Sequence, residues 1–476
     1  MHTRVEHDLL GEMEVPAEAY YGIHTLRAHH NFSLSGKGLH PELVRALAEV
    51  KKACALANLR TGQLDEPIAR AIASACDEIA AGSLADQFIT DAFQGGAGTS
   101  ANMNANEVIA NRAIEILGGA RGDYHLVHPL DHVNLSQSTN DVFPTAVRLA
   151  AIRLLAPASQ AMADLQRSLQ EKESEFARVL KIGRTEMQDA VPITLGQEFA
   201  AWAQAVQRDW WRLYKVEERL RQVNLGGTAV GTGLNADRRY VYIAADVLRE
   251  ITGVALARAE NMIDVTQNAD VFVEVSGMIK AAAVDLAKIA SDLRILSSGP
   301  RAGIGEISLP ALQAGSSIMP GKINPVATEA VSQAAFQIIA NDTAVTLAAM
   351  NGQLELNAFL PVLSHNLFES LELLRGAADL LARRCIGGIT ANEDRCLELL
   401  ENSFAALTAL SPYIGYEAAS EIAVEAEQSG KTVRQVATER GLFTREQLES
   451  ILSAVEMTSP GIAGLGSVPP PEPGDS

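Results

Sequence analysis

Apolar side chains recur at three- and four-residue intervals over long stretches of the chain, and these stretches set the fold class. Over Pro41–Arg60 the residues Leu43, Leu47, Val50, Ala53, Cys54 and Ala57 fall on one face, the pattern of an amphipathic helix. Longer periodic runs follow at residues 146–179, 194–223, 261–297 and 325–350. Helices of about 25–35 residues span roughly 40–50 Å at 1.5 Å per residue, so they are expected to lie side by side in a bundle. Between Met278 and Leu296 apolar residues cover nearly every face, among them Ile279, Val284, Leu286, Ile289 and Leu293. A helix apolar all round is buried on all sides.

Short polar segments rich in glycine interrupt the periodicity at residues 94–104, 134–145, 183–192, 225–235 and 298–325. They read as loops, where chemistry concentrates. Gly387-Gly388 ahead of Thr390-Ala391-Asn392-Glu393 ends one helix and begins the next, placing a boundary near residue 393. The expected organisation is an N-terminal helical domain over 1–138, a central long-helix domain over 139–393, a small helical domain over 394–464 and a disordered tail over 465–476. Within the small domain Thr432 reads as an N-cap, and Thr444 with Gln447 as a capping box. The tail carries Pro469-Pro470-Pro471 and Pro473.

Composition narrows the choices. A single core stops growing near about 250–300 residues, so 476 residues imply several domains or a helical body that shares its core with partners. Hydrophobic residues make up 47% but aromatics only 5%, so burial rests on Ala, Leu, Val and Ile, the filling of close-packed helices. With 39 Lys+Arg against 58 Asp+Glu the net charge is −19, and no basic run exists to meet nucleic acid or an anionic membrane. A small substrate is expected instead. The four cysteines lack zinc-site spacing, the N-terminus is charged where a signal peptide is apolar, and no window of 18 apolar residues is evident. A soluble cytoplasmic protein with reduced thiols is expected, with no cofactor and no metal.

Residues 315–325, Gly-Ser-Ser-Ile-Met-Pro-Gly-Lys-Ile-Asn-Pro, superficially suggest a phosphate loop, but five residues separate the glycines and Ile follows the Lys. What remains is a loop offering two hydroxyls, an ammonium and an amide. Gln94-Gly95-Gly96-Ala97-Gly98-Thr99-Ser100 and Ser136-Gln137-Ser138-Thr139-Asn140-Asp141 add hydroxyl and amide groups at helix starts. Any one of these is explained by helix capping. Together they make several anion sites, as a dicarboxylate would need.

Loop 315–325 resembles the signature of the aspartase/fumarase superfamily, and the resemblance runs from about Arg4 to Gly464. The segment Ala19-Tyr20-Tyr21-Gly22-Ile23-His24-Thr25-Leu26-Arg27, the Gly-Ala-Gly-Thr-Ser run ending at Ser100 and Ser138-Thr139-Asn140-Asp141 are similar to the aspartase branch, since fumarases usually carry serine at position 139. The resemblance implies a mainly α, three-domain fold whose central bundle is shared across a homotetramer, with active sites built from several subunits. It implies anti-elimination from a 2-substituted succinate to fumarate. Ser316 is then the general base, Lys322 and Asn324 stabilise the aci-carboxylate, and Thr99, Ser138, Thr139, Asn140 and Thr185 hold the two carboxylates. Such an intermediate needs preorganised positive charge and hydrogen-bond donors.

The sequence departs from that pattern at the leaving group. Gly183-Arg184-Thr185-Glu186-Met187-Gln188-Asp189-Ala190 matches a family motif, but relatives usually have His or Gln where Glu186 stands, and Met350 and Leu360 replace expected glutamates. An ammonium leaving group gains from nearby negative charge, which Glu186 can supply, whereas hydroxide or nitrite does not. Glu186 can alternatively share a proton with Glu329 if the two meet. Aspartate is the first choice of substrate; malate, nitrosuccinate and a non-enzymatic scaffold are the alternatives. His128-Pro129-Leu130-Asp131-His132 reads as structural, as do His24 and His365.

Overall fold

The computed structural model describes residues 2–466, so the expected tail lies outside the described residues from position 467 onward. Contacts divide the chain into two compact units. One is made of residues up to Gln160 with Asp209–Val284 and Ala334–Gly376; the other of Ala161–Arg208, Asp285–Gln333 and the residues from Ala377.

The first unit opens with a hairpin, β1 (Thr3–Asp8) and β2 (Gly11–Pro16), paired from Thr3 opposite Pro16 to Asp8 opposite Gly11. Helices α1 (Ile23–Asn31), α2 (Pro41–Arg60), α3 (Glu66–Ala80) and α4 (Thr99–Ile116) follow. Pro41 at the start of α2 is preset for helix, and His40 Nδ1 accepts the Glu42 N–H at 3.1 Å as its cap. The buried face of α2 packs on α3 and on α7 (Arg238–Thr252). Segment 94–104, expected as loop throughout, becomes helical at Thr99, and its Asn102 and Asn104 are buried in α4. A short parallel pair, β5 (Gln222–Val223) with β6 (Ala257–Arg258), ties the ends of two connections together.

The long runs form α5 (Thr139–Glu175), α6 (Leu195–Leu220), α9 (Asp270–Leu296), α10 (Val326–Met350) and α11 (Leu360–Leu380). Run 261–297 is not one helix: α8 (Met262–Gln267) stops where Asn268 turns extended, at φ −97° and ψ 135°, and α9 begins two residues later. Helix α5 starts seven residues before the expected 146 and runs through Pro144 and Pro157. Proline removes an N–H and orphans the carbonyl four residues back. For Pro144 that carbonyl belongs to Asn140, and the Asn224 amide fills it at 2.9 Å. Among the described residues α5 is also long and apolar enough to cross a membrane, but 78% of its most apolar stretch is buried inside the protein, as in a core helix.

In the first unit the bundle is tied laterally. Arg148 of α5 lies over the ring of Phe272 of α9 at 5.0 Å. Asp342 of α10 accepts from Ser276 and Lys280 of α9 at 2.8 and 2.6 Å, and Asn341 of α10 donates to Ser370 of α11 at 3.2 Å.

In the second unit, segment 183–192 is not a loop. Strands β3 (Leu180–Thr185) and β4 (Gln188–Thr194) pair antiparallel across it. Strands β7 (Ile307–Ser308) and β8 (Thr390–Ala391) pair antiparallel ahead of α12 (Glu393–Glu401). Helices α13 (Ala405–Ser429), α14 (Val433–Glu439) and α15 (Arg445–Ile451) then close over Leu410, Ile422, Val436, Leu448 and Ile451. Both expected caps form: Thr432 boxes with Gln435, and Thr444 with Gln447. All four cysteines are free and buried.

Candidate active site

The nine residues singled out in the sequence fall into three groups. In the first unit Thr99, Ser138, Thr139 and Asn140 stand at the starts of α4 and α5. The turn before α4 places Ala97 and Gly98 at φ +58° and +96°. A Cβ at Gly98 would lie 2.6 Å from the Phe143 ring, so only glycine lets the two helix starts approach. Thr99 Oγ1 donates to the Gly96 carbonyl at 2.6 Å and reaches Thr139 Oγ1 at 3.3 Å, which also accepts from Asn102 Nδ2 at 3.0 Å. Ser138 caps α5: its Oγ accepts the Asn140 N–H at 3.2 Å, and its own N–H donates to Asp141 at 3.0 Å. The Asn140 side chain donates to the Ala229 carbonyl at 2.7 Å.

The second group, Thr185 and Glu186, is the exposed tip of the β3–β4 hairpin. Glu186 and Met187 have φ of +54° and +63°, the two left-handed positions of a tight two-residue hairpin turn. Turns of this kind normally use Asn-Gly, so the Glu-Met pair is strained and the ladder beside it holds it. Beneath the tip, Arg184 Nη1 meets both oxygens of Glu306 at 3.0 Å, and Lys181 Nζ lies 3.3 Å from Glu306 and 3.4 Å from Glu198. Glu306 is fully buried, and burial pushes the Glu198 carboxyl up against the opposing pull of Lys181.

The third group is loop 315–325. Ser316 Oγ accepts the N–H groups of Ile318 and Met319 at 3.3 and 3.0 Å. The loop closes on itself: Asn324 Nδ2 donates to the Gly315 carbonyl at 3.0 Å, and a Cβ at Gly315 would meet the Lys322 carbonyl. The Lys322 side chain is exposed, while Ser316 and Asn324 are half-buried. Glu329, the other carboxylate considered with Glu186, stands in the first turn of α10. Met350 is exposed at the end of α10, and Leu360 is buried at the start of α11.

Two groups with a bearing on the site escaped the sequence reading. Lys51 of α2 is fully buried, donating to Asn134 Oδ1 and Gln137 Oε1 at 2.8 Å each, and burial pulls its ammonium down to about 8. Its signal was a charge at an apolar-face position, four residues after Leu47 and three before Cys54. Asp141 is also fully buried. Burial pushes its carboxyl up to about 6 although it accepts the N–H groups of Ser138, Thr228 and Gly226. Two histidines serve the backbone, His40 capping α2 and His128 Nδ1 accepting the Leu130 and Asp131 N–H groups, while His365 packs beside the Phe93 ring at 5.5 Å. Among the described residues no cluster of three His, Cys, Asp or Glu is placed to hold a metal.

Comparison with known proteins covers nearly the whole chain. A family model described as lyase matches residues 11–340, and one described as fumarase C C-terminus matches 407–459. The aspartate ammonia-lyase of Bacillus subtilis (strain 168) is 50% identical over 461 residues, 97% of each chain. That of Escherichia coli (strain K12) is 46% identical over 462 residues, 96% of this chain and 97% of the other. A crystal structure of fumarate lyase:delta crystallin from Brucella melitensis bound to cobalt superposes with a TM-score of 0.94 at 52% identity, covering 96% of this chain and all of that one. The class II fumarase from Schistosoma mansoni gives 0.92 at 34% identity over the same shares. The mainly α architecture of this chain agrees with these matches, and the chain belongs to the aspartase/fumarase superfamily of lyases.

Proposed function

We propose that this chain catalyses the elimination of ammonia from L-aspartate to give fumarate. The observation that carries the reading is full-length similarity to aspartate ammonia-lyases, 46–51% identical, against 34% for the fumarase structure. Thr99, Ser138, Thr139, Asn140 and Thr185 hold the two carboxylates. Ser316 Oγ takes a proton from Cβ, and the electron pair moves into the adjacent carboxylate as an aci-carboxylate facing Lys322 and Asn324. That pair then forms the C=C bond as the Cα–N bond breaks and ammonia leaves. Glu186 supplies the negative charge that attracts the substrate ammonium, an interaction of about 1–4 kcal/mol at 4 Å depending on solvent exposure. A cytoplasmic location fits free, buried thiols.

Fumarate absorbance followed in parallel with aspartate, malate and nitrosuccinate tests the substrate. Fast fumarate release from aspartate alone is expected. An enzyme inert on aspartate and rapid on nitrosuccinate would replace ammonia by nitrite as the leaving group.

Assembly as a homotetramer with active sites built from several subunits belongs to the same reading. Its support is the apolar surface that α9 and α10 leave open: Val284, Phe336, Leu347 and Met350 are 51, 63, 53 and 70% exposed. Surface of that kind marks an interface. Light scattering is expected to return four times the chain mass of 50.7 kDa, and a monomer at micromolar concentration would contradict the shared site.

A further inference from the structure

We infer that Asp141 is a positioning residue: by clasping residues 226–229 to the start of α5 it fixes the Asn140 amide in the orientation that receives a substrate carboxylate. The inference rests on the proposed role of Asn140 in carboxylate binding and adds what sets that side chain. One oxygen of Asp141 accepts the Ser138 N–H at 3.0 Å, and the other accepts the N–H groups of Gly226 and Thr228, both at 3.0 Å. Asp141 thus joins two segments 85 residues apart, and water has no access to it.

The loop it holds has hydrogen bonds of its own, Gly227 N–H to Asn224 and the Gly231 and Gly233 N–H groups to Gly227, but one strained residue among them leans on Asp141. Thr228 has φ +55°, a left-handed conformation that a β-branched residue rarely adopts. Such strain persists only where neighbours over-determine it. Here the neighbours are the Asp141 carboxylate on the Thr228 N–H and the Leu234 carbonyl, 2.9 Å from Thr228 Oγ1. The next residue, Ala229, offers its carbonyl to Asn140 Nδ2 at 2.7 Å, while Asn224 Nδ2 holds the Asn140 carbonyl at 2.9 Å.

An amide has two unlike ends, and only the NH2 end attracts an anion. With one Nδ2 hydrogen bound to Ala229, the second remains for a carboxylate, and a flip that would turn Oδ1 toward the substrate breaks the 2.7 Å bond. Without the Asp141 carboxylate the Thr228 turn relaxes, the Ala229 carbonyl moves, and the amide loses its preferred orientation. Because Asn140 would hold a carboxylate in substrate and transition state alike, the loss should fall on KM and ligand affinity rather than on kcat.

The test is Asp141→Asn in the full-length enzyme, with succinate binding measured by calorimetry beside aspartate kinetics. We expect the succinate Kd and the aspartate KM to rise together by about ten- to thirtyfold, the order of one hydrogen bond to a charged group, with kcat little changed. If that variant fails to fold, Thr228→Pro breaks the clasp from the loop side, since proline has no N–H and cannot adopt positive φ, and the same rise is expected. A folded variant that binds succinate like wild type overturns the inference, and so does a fall in kcat with unchanged Kd, the mark of general structural damage. A wild type that binds succinate yet ignores aspartate overturns the proposed substrate and leaves the clasp readable through the succinate Kd. A wild type with no affinity for succinate overturns both.

Discussion

Replacing Ser316 with alanine is expected to lower fumarate formation from aspartate by about a hundred- to ten-thousandfold while leaving the fold intact, the range general-base catalysis typically supplies. The proton on Cβ is weakly acidic, and a neutral hydroxyl is a poor acceptor for it. The Ile318 and Met319 N–H groups directed at Ser316 Oγ favour its deprotonated form, because a hydrogen bond to the charged state lowers its free energy. The side chain sits half-buried on a loop rather than in a core, so its removal costs little stability. Among the described residues the hydroxyl's hydrogen bonds are those two N–H groups, which water can satisfy. Single-turnover measurement of fumarate absorbance, with circular dichroism as the check on folding, decides the matter. Turnover within about tenfold of wild type would remove Ser316 from the chemical step.

The second large effect concerns stability. Glu306→Ala is expected to cost about 3 kcal/mol, because it strands the half-buried Arg184 and leaves the buried Lys181 with Glu198 alone. Glu306 is fully buried and Lys181 nearly so, and Arg184 contacts both Glu306 oxygens at 3.0 Å. Lys181 retains Glu198 at 3.4 Å, but Arg184 loses the carboxylate that anchors it. Since Arg184 directly precedes Thr185, the hairpin tip should loosen as well, and aspartate KM should rise with the fall in thermal midpoint. Pairing the change with Arg184→Met should recover part of the midpoint, since removing both charges is cheaper than stranding one. An unchanged midpoint for Glu306→Ala would show that the pair contributes nothing.

Much of the molecule was legible in its sequence, for a reason that is local. Apolar residues on one face of α2 report helix and burial within a window of a few turns, and those on all faces of α9 report a helix, because the 3.6-residue period is built into each helix; the Val284 face of α9 stays open in the single chain. The N-cap expected at Thr432 and the capping box expected at Thr444 span only four residues; both form, and Thr432 completes a box with Gln435 as well. The hydroxyl, amide and ammonium groups of loop 315–325 are likewise neighbours in sequence, so their grouping needed no tertiary information.

What only the tertiary structure decided is pairing over distance. Glu186-Met187 carries no Asn-Gly type turn signal, and the β3–β4 ladder across it imposes left-handed φ on residues that would not choose it. The early start of α5 through Pro144 depends on an amide 84 residues away that takes up the orphaned Asn140 carbonyl. Arg184 and Glu306 stand 122 residues apart, and Lys51 meets Asn134 across 83. A buried charge finds its partner wherever folding places one, and its cost unpaired is several kcal/mol, so such contacts are selected by the whole structure and leave no periodic trace in the chain.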